Sequence, residues 1–182
     1  MLEVLDILDE KNKFLRQISN DVIFPITNEE KKLIKRIKKQ LKYSQIDDKA
    51  AQYSLRPGMG LAFPQLGILK RIIVIVHEYD EGLFEEYVVV NPKIISSSKE
   101  IIAAEAGEGC LSVNREVEGH VPRNARITLE GYDLNGNKIN IRAREELSIA
   151  FQHEIDHLNG ILFYDRINKD KLFYNENEIR LL

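Results

Sequence analysis

The chain has 182 residues, 43% hydrophobic and 30% charged, which is the composition of a globular protein with one sizeable core, so a single domain over 1–182 is expected. A net charge of −3 argues against nucleic acid as the main partner, and a single cysteine excludes an intramolecular disulfide framework. No apolar run is long enough to cross a membrane, and Met1–Asp6 lacks the basic flank and apolar stretch of a secretory signal, so a cytoplasmic protein is expected.

Taken in chain order, the first clear element is a helix opened by a capping box, Thr27 with Glu30. Its apolar stripe is Leu33, Ile34, Ile37 and Leu41, and Lys and Arg fill the remaining faces. That basic surface reads as a solvated helix face rather than a binding patch. Strands are expected near Arg71–His77, Tyr87–Asn91 and Ile101–Ala103. A hairpin follows over Arg126–Asp133 and Lys138–Arg142, turning at Asn135-Gly136. A second helix is expected from Glu145 to Asn159, with Leu147, Ile149, Ala150 and Ile155 among its apolar positions. The C-terminal stretch Lys169–Leu182 is expected to add a strand to a sheet edge. Strands grouped apart from helices predict an α+β fold.

The second helix carries His153-Glu154-Ile155-Asp156-His157. Histidines four residues apart share one helix face, so both imidazoles can reach one divalent cation, and Glu154 can reach a water beside it. Gly160 follows where a helix C-cap is expected. A catalytic metal site needs about three protein ligands and one open position. The third histidine that some zinc proteases place three residues after the glycine is absent, because Phe163 stands there. His77, at the end of an apolar run, His120, in a loop, and Glu176 and Glu178, in a polar tail, are weak candidates for the third ligand. Cys110, flanked by Gly107 and Gly109, is the best, and its soft thiolate suits iron, zinc or cobalt rather than magnesium or calcium. A further segment, Gly58-Met59-Gly60-Leu61-Ala62-Phe63-Pro64-Gln65, matches neither a dinucleotide fingerprint nor a phosphate loop. It reads either as a tight turn before a strand or as a backbone wall beside the metal, with the Gln65 amide offered to a reacting carbonyl.

The ordered trio Gly58–Gln65, Glu108–Ser112 and Gln152–His157 resembles the three signatures of the peptide deformylase family, in its longer bacterial subtype. The resemblance implies β-sheets, mixed and antiparallel, packed around a central helix that carries the metal motif. It implies Cys110, His153 and His157 as metal ligands, Glu154 as general acid–base, and Gln65 with the Leu111 N–H as donors to the developing oxyanion. Gly58, Met59, Gly60, Glu108 and Ile149 are implied as parts of the substrate cleft. The implied reaction removes the formyl group from N-formylmethionyl nascent polypeptides as formate, with water activated by one divalent metal. Ferrous iron is the expected cofactor, and zinc, nickel or cobalt are substitutes. A monomer is expected, with the ribosome near its exit tunnel as a further partner. A zinc-dependent peptidase and a non-catalytic metal-binding relative, with substrate excluded by Phe63, are the alternatives. Two residues depart from the family pattern: Phe63 stands for a small residue, and Glu146 stands where an apolar side chain toward the substrate pocket is expected.

Overall fold

The computed structural model describes residues 2–182; Met1, with which the expected domain and N-terminal stretch begin, lies outside the described residues. Helix α1 (Asn28–Ser44) begins at the predicted capping box: Thr27 Oγ1 accepts from the Glu30 N–H at 3.2 Å, and Glu30 accepts from the Thr27 N–H at 2.8 Å. A short helix, α2 (Asp47–Tyr53), follows that the sequence reading did not contain. It buries no residue, so no apolar periodicity announces it.

A five-stranded antiparallel sheet has the order β1 (Gly60–Ala62), β2 (Ile72–Asp80), β3 (Leu83–Ser97), β6 (Arg126–Tyr132) and β7 (Lys138–Arg144). Strand β2 is apolar without alternation because both its faces are covered. Ile72, Val74 and Val76 pack in the cluster that contains Ile34, Ile37 and Leu41 of α1. Ile73 and Ile75 face the opposite way, into the cluster containing Phe151, Ile155 and Leu158. Strand β3 is far longer than the predicted Tyr87–Asn91. Its ends are largely exposed and polar, and it pairs with β2 across a turn in which Gly82 has φ +72°.

The small sheet joins β4 (Ile101–Ala103), β5 (Arg123–Asn124) and β8 (Arg180–Leu181). β8 pairs in parallel with β4 at Ile102 and Ala103, so the C-terminal stretch does add an edge strand. Between the two sheets lies α3 (Glu145–Leu158), ending at Asn159 and a left-handed Gly160. A side chain at 160 would run into the Arg16 backbone, with Cβ 2.7 Å from its carbonyl carbon. The fold is α+β, with the His-Glu-x-x-His helix central, as expected.

Candidate active site

Helix α3 sets His153 and His157 one turn apart, facing the loop between β4 and β5 that carries Cys110. The donor atoms of Cys110, His153 and His157 all lie within 4.8 Å of one another. Cys110 Sγ is 3.3 Å from His157 Nε2. A tetrahedral site with metal–sulfur and metal–nitrogen bonds of about 2.3 and 2.0 Å has a sulfur–nitrogen edge of about 3.5 Å, so this donor set fits a transition-metal ion.

Behind the first histidine stands a buried ionic chain. Glu108 Oε2 meets His153 Nδ1 at 2.8 Å, which leaves Nε2 free to face the cleft. The Arg123 guanidinium donates to both Glu108 oxygens, at 2.7 and 3.0 Å, and to Asp156 at 2.6 Å. Arg166 closes the chain on Asp156. The Arg123, Glu108 and Asp156 side chains are only 2%, 5% and 5% exposed. Burial alone would raise the Glu108 carboxyl, but His153 and Arg123 outweigh it and hold its pKa at about 2. His153 is pulled the same way: burial disfavours its charge, yet Cys110 and Glu108 raise its pKa well above the ordinary value. His157 is held well below it, by burial and by the charge of His153. The cluster thus gathers a thiol and two imidazoles, backed by the Glu108 carboxylate, in one buried pocket, a donor set that suits a transition-metal cation.

Glu154 lies on the same helix face, and its Oε2 is buried without a hydrogen-bond partner among the described residues. Burial pushes its pKa up to about 7. Gly60 makes this placement possible, because a Cβ there would stand 2.8 Å from Glu154 Cγ and closer still to its carboxylate. The Gln65 amide is fixed at both ends. Its Oε1 accepts from the Ala62 N–H at 2.8 Å, and its Nε2 donates to Ser112 Oγ at 3.1 Å beside Cys110 Sγ at 3.7 Å. Arg56 donates to the carbonyls of Leu111 and Val113 and so pins the cysteine loop.

These groups line one cleft of about 530 Å³. The residues expected at the cleft, Gly58, Met59, Gly60, Gln65, Glu108, Cys110, Leu111, Ile149, His153 and Glu154, all lie on its wall, and His157 sits deeper. The other proposed third ligands are elsewhere. His120 clamps the C-terminal stretch, and Glu178 pairs with Lys171. Of the two departures, Glu146 lines the cleft, but Phe63 does not: it is fully buried in the cluster beneath α1. An aromatic ring there fills core space, which removes the ground for a substrate-excluding Phe63. Sequence reading missed Arg123, Asp156, Ser112 and Arg56. An arginine following Pro122 in a loop reads as exposed, and nothing local signals its two buried carboxylate partners.

Residues 4–172 match the family described as polypeptide deformylase. The chain is 49% identical to a peptide deformylase of Halalkalibacterium halodurans, over 92% of both chains. It is 43% identical to peptide deformylase 2 of Bacillus anthracis, over 95% of this chain and 94% of that one. The crystal structure of a peptide deformylase from Thermotoga maritima superposes with a TM-score of 0.71 at 31% identity, covering 91% of this chain and 99% of that one.

Proposed function

Because the chain belongs to the peptide deformylase family, we propose that its cleft removes the N-terminal formyl group from nascent polypeptides, releasing formate and a free methionyl amine. The observation that carries this reading is the placement of a buried carboxylate, Glu154, on the wall of the cleft onto which three metal-ligand side chains converge, Cys110 and His153 from its wall and His157 from beneath. Cys110, His153 and His157 would hold the metal, ferrous iron in the cell, with zinc, nickel or cobalt able to replace it. When bound, a divalent ion supplies Lewis acidity and lowers the pKa of an associated water toward neutrality. Glu154 takes the proton from the attacking water and returns it to the leaving amine. A carboxyl group with pKa near the working pH suits both halves of that transfer. Gln65 Nε2 and the Leu111 N–H donate to the oxygen that becomes negative as the formyl carbon turns tetrahedral. Glu108 lines the cleft and spends its carboxylate on orienting His153. Gly58, Met59, Gly60 and Ile149 form walls for the peptide and its methionine.

Among the described residues no helix is long and apolar enough to cross a membrane. We place the enzyme in the cytoplasm as a one-domain monomer, meeting its substrate near the ribosomal exit tunnel. The direct test is formate release from a formyl-Met-Ala-Ser peptide by protein loaded anaerobically with ferrous iron, or in air with nickel. Glu154→Ala is expected to keep the metal and lose nearly all turnover, and Cys110→Ser to lose metal. Near wild-type turnover by Glu154→Ala would sink the assigned mechanism.

A further inference from the structure

The solvent face of the β6–β7 hairpin concentrates positive charge that the chain's net charge of −3 conceals. Ile127 and Leu129 turn inward to the cluster beneath α3, so Arg126 and Thr128 point outward from β6. Ile141 and Ala143 do the same for β7, which turns Arg142 and Arg144 to solvent. The strand register sets Arg126 directly across from Arg144, and Thr128 across from Arg142. Lys99, between β3 and β4, joins these arginines around a concavity of about 580 Å³ whose lining contains no acidic residue.

Arg126 pairs with Glu100 at 2.9 Å, but Lys99, Arg142 and Arg144 have no carboxylate partner among the described residues. Glu130, farther along the same face, is neutralised by Lys138 at 2.9 Å, and Glu145 is turned to Arg180 at 3.1 Å. Like charges held directly opposite each other across a strand pair destabilise a sheet. An anion laid over Arg126 and Arg144 converts that repulsion into attraction. The make-up of the face selects the anion. Arginine forks donate to two oxygens of one phosphate at once. Arg142 and Arg144 are two residues apart, about 6.8 Å along the strand, so the charges form a row rather than a point. Ser96, across from Thr128, adds hydroxyl donors beside that row. The apolar residues of the lining, Ile127 and Ala143, are buried, so the concavity gives a bilayer no anchor.

We propose that Lys99, Arg126, Arg142 and Arg144 form a surface that binds RNA through its phosphodiester backbone. The choice of RNA rests on the deformylase reading, because an enzyme acting on newly made chains works beside RNA. No residue that lines this concavity lines the cleft, so bound RNA leaves the cleft open.

The test is fluorescence anisotropy of a labelled oligouridine of about 20 nucleotides, titrated with metal-loaded enzyme over a range of salt. Three or four phosphate contacts on a single strand predict that log affinity falls with log salt at a slope of about −2 to −3. The triple variant Lys99→Gln, Arg142→Gln, Arg144→Gln should flatten the slope by about 2 and weaken binding about tenfold or more at low salt. Lys32→Gln, Lys35→Gln, Lys39→Gln removes as many charges from the exposed face of α1. At about 0.1 M salt, where screening acts within about 10 Å, that second variant should bind within about twofold of wild type. No binding by the wild type at low salt, or an equal loss in both variants, would overturn the inference. So would tighter binding to phosphatidylserine vesicles than to the RNA. Formate release from formyl-Met-Ala-Ser, measured on the same samples, should be unchanged by the hairpin substitutions. Its absence in the wild type overturns the deformylase reading whatever the RNA result.

Discussion

Gly60 and Glu154 occupy space that only a residue without a side chain can share: Cβ at position 60 would stand 2.8 Å from Glu154 Cγ and closer still to Oε1. The strand that walls the cleft and the helix that carries the motif are thus in contact at the carboxylate proposed to move protons. Gly60→Ala is expected to displace that carboxylate while leaving Cys110, His153 and His157 in place. A displacement of about 1 Å at a reacting group costs on the order of a hundredfold in rate. The check is kcat and metal content on the same sample. Unchanged kcat would show that Glu154 can retreat at no cost.

Arg123 joins two buried carboxylates, Glu108 and Asp156, one of which orients His153. Removing one partner of a buried ion pair leaves uncompensated charge and costs about 3–5 kcal/mol. Arg123→Ala is therefore expected to lower the unfolding free energy read from urea curves by that amount and, through Glu108, to weaken metal retention by about ten- to a hundredfold. A chelator competition reads the second effect apart from the first. Wild-type retention in a destabilised Arg123→Ala would separate Arg123 from the metal site.

His120, set aside above as a metal ligand, ties down the C-terminal stretch. Its Nδ1 accepts from the Tyr174 N–H at 3.0 Å, which leaves the proton on Nε2, 3.2 Å from the Glu105 carbonyl it can donate to. β8 then pairs with β4, and Leu182 bonds both Glu105 and Ala103 at 2.9 Å. In His120→Ala the amides of Tyr174 and Leu182 should exchange faster, with metal content unchanged. Exchange at the wild-type rate would mean that β8 holds itself.

How much of this was legible beforehand follows from the range of the interactions. The capping box, the apolar stripe of α1, the buried run of β2 and the His-Glu-x-x-His face are local patterns, and each appears in the structure where the residues put it. Cys110 was reachable because a helix with two ligands needs a third. Arg123 and Asp156 were not, because their burial depends on β5 packing against α3, which brings together residues 33 apart in the chain. Phe63 was misplaced for a related reason. A position beside a functional loop can turn its side chain into the core, and the sequence of that loop alone does not say which way it faces. β3 was cut short because strands exposed at their ends lose the alternation that marks a half-buried one.

The start of α1 offers a pH signature independent of the cleft. Glu30 closes the capping box and pairs with Lys70. Burial raises its carboxyl pKa, but Lys70 and the Thr27 N–H together outweigh that and lower it below the ordinary 4.5. A carboxyl group whose folded pKa is depressed contributes stability that is full above its unfolded pKa and is lost as pH falls through the folded one. Wild type should therefore exceed Glu30→Gln in urea stability at pH 6, and the gap should close as the pH drops below about 4.5. Paired unfolding curves at the two pH values, with metal content matched, measure the gap directly. A gap that stays constant, or widens in acid, would mean that the ionised carboxylate contributes nothing beyond what the neutral amide supplies.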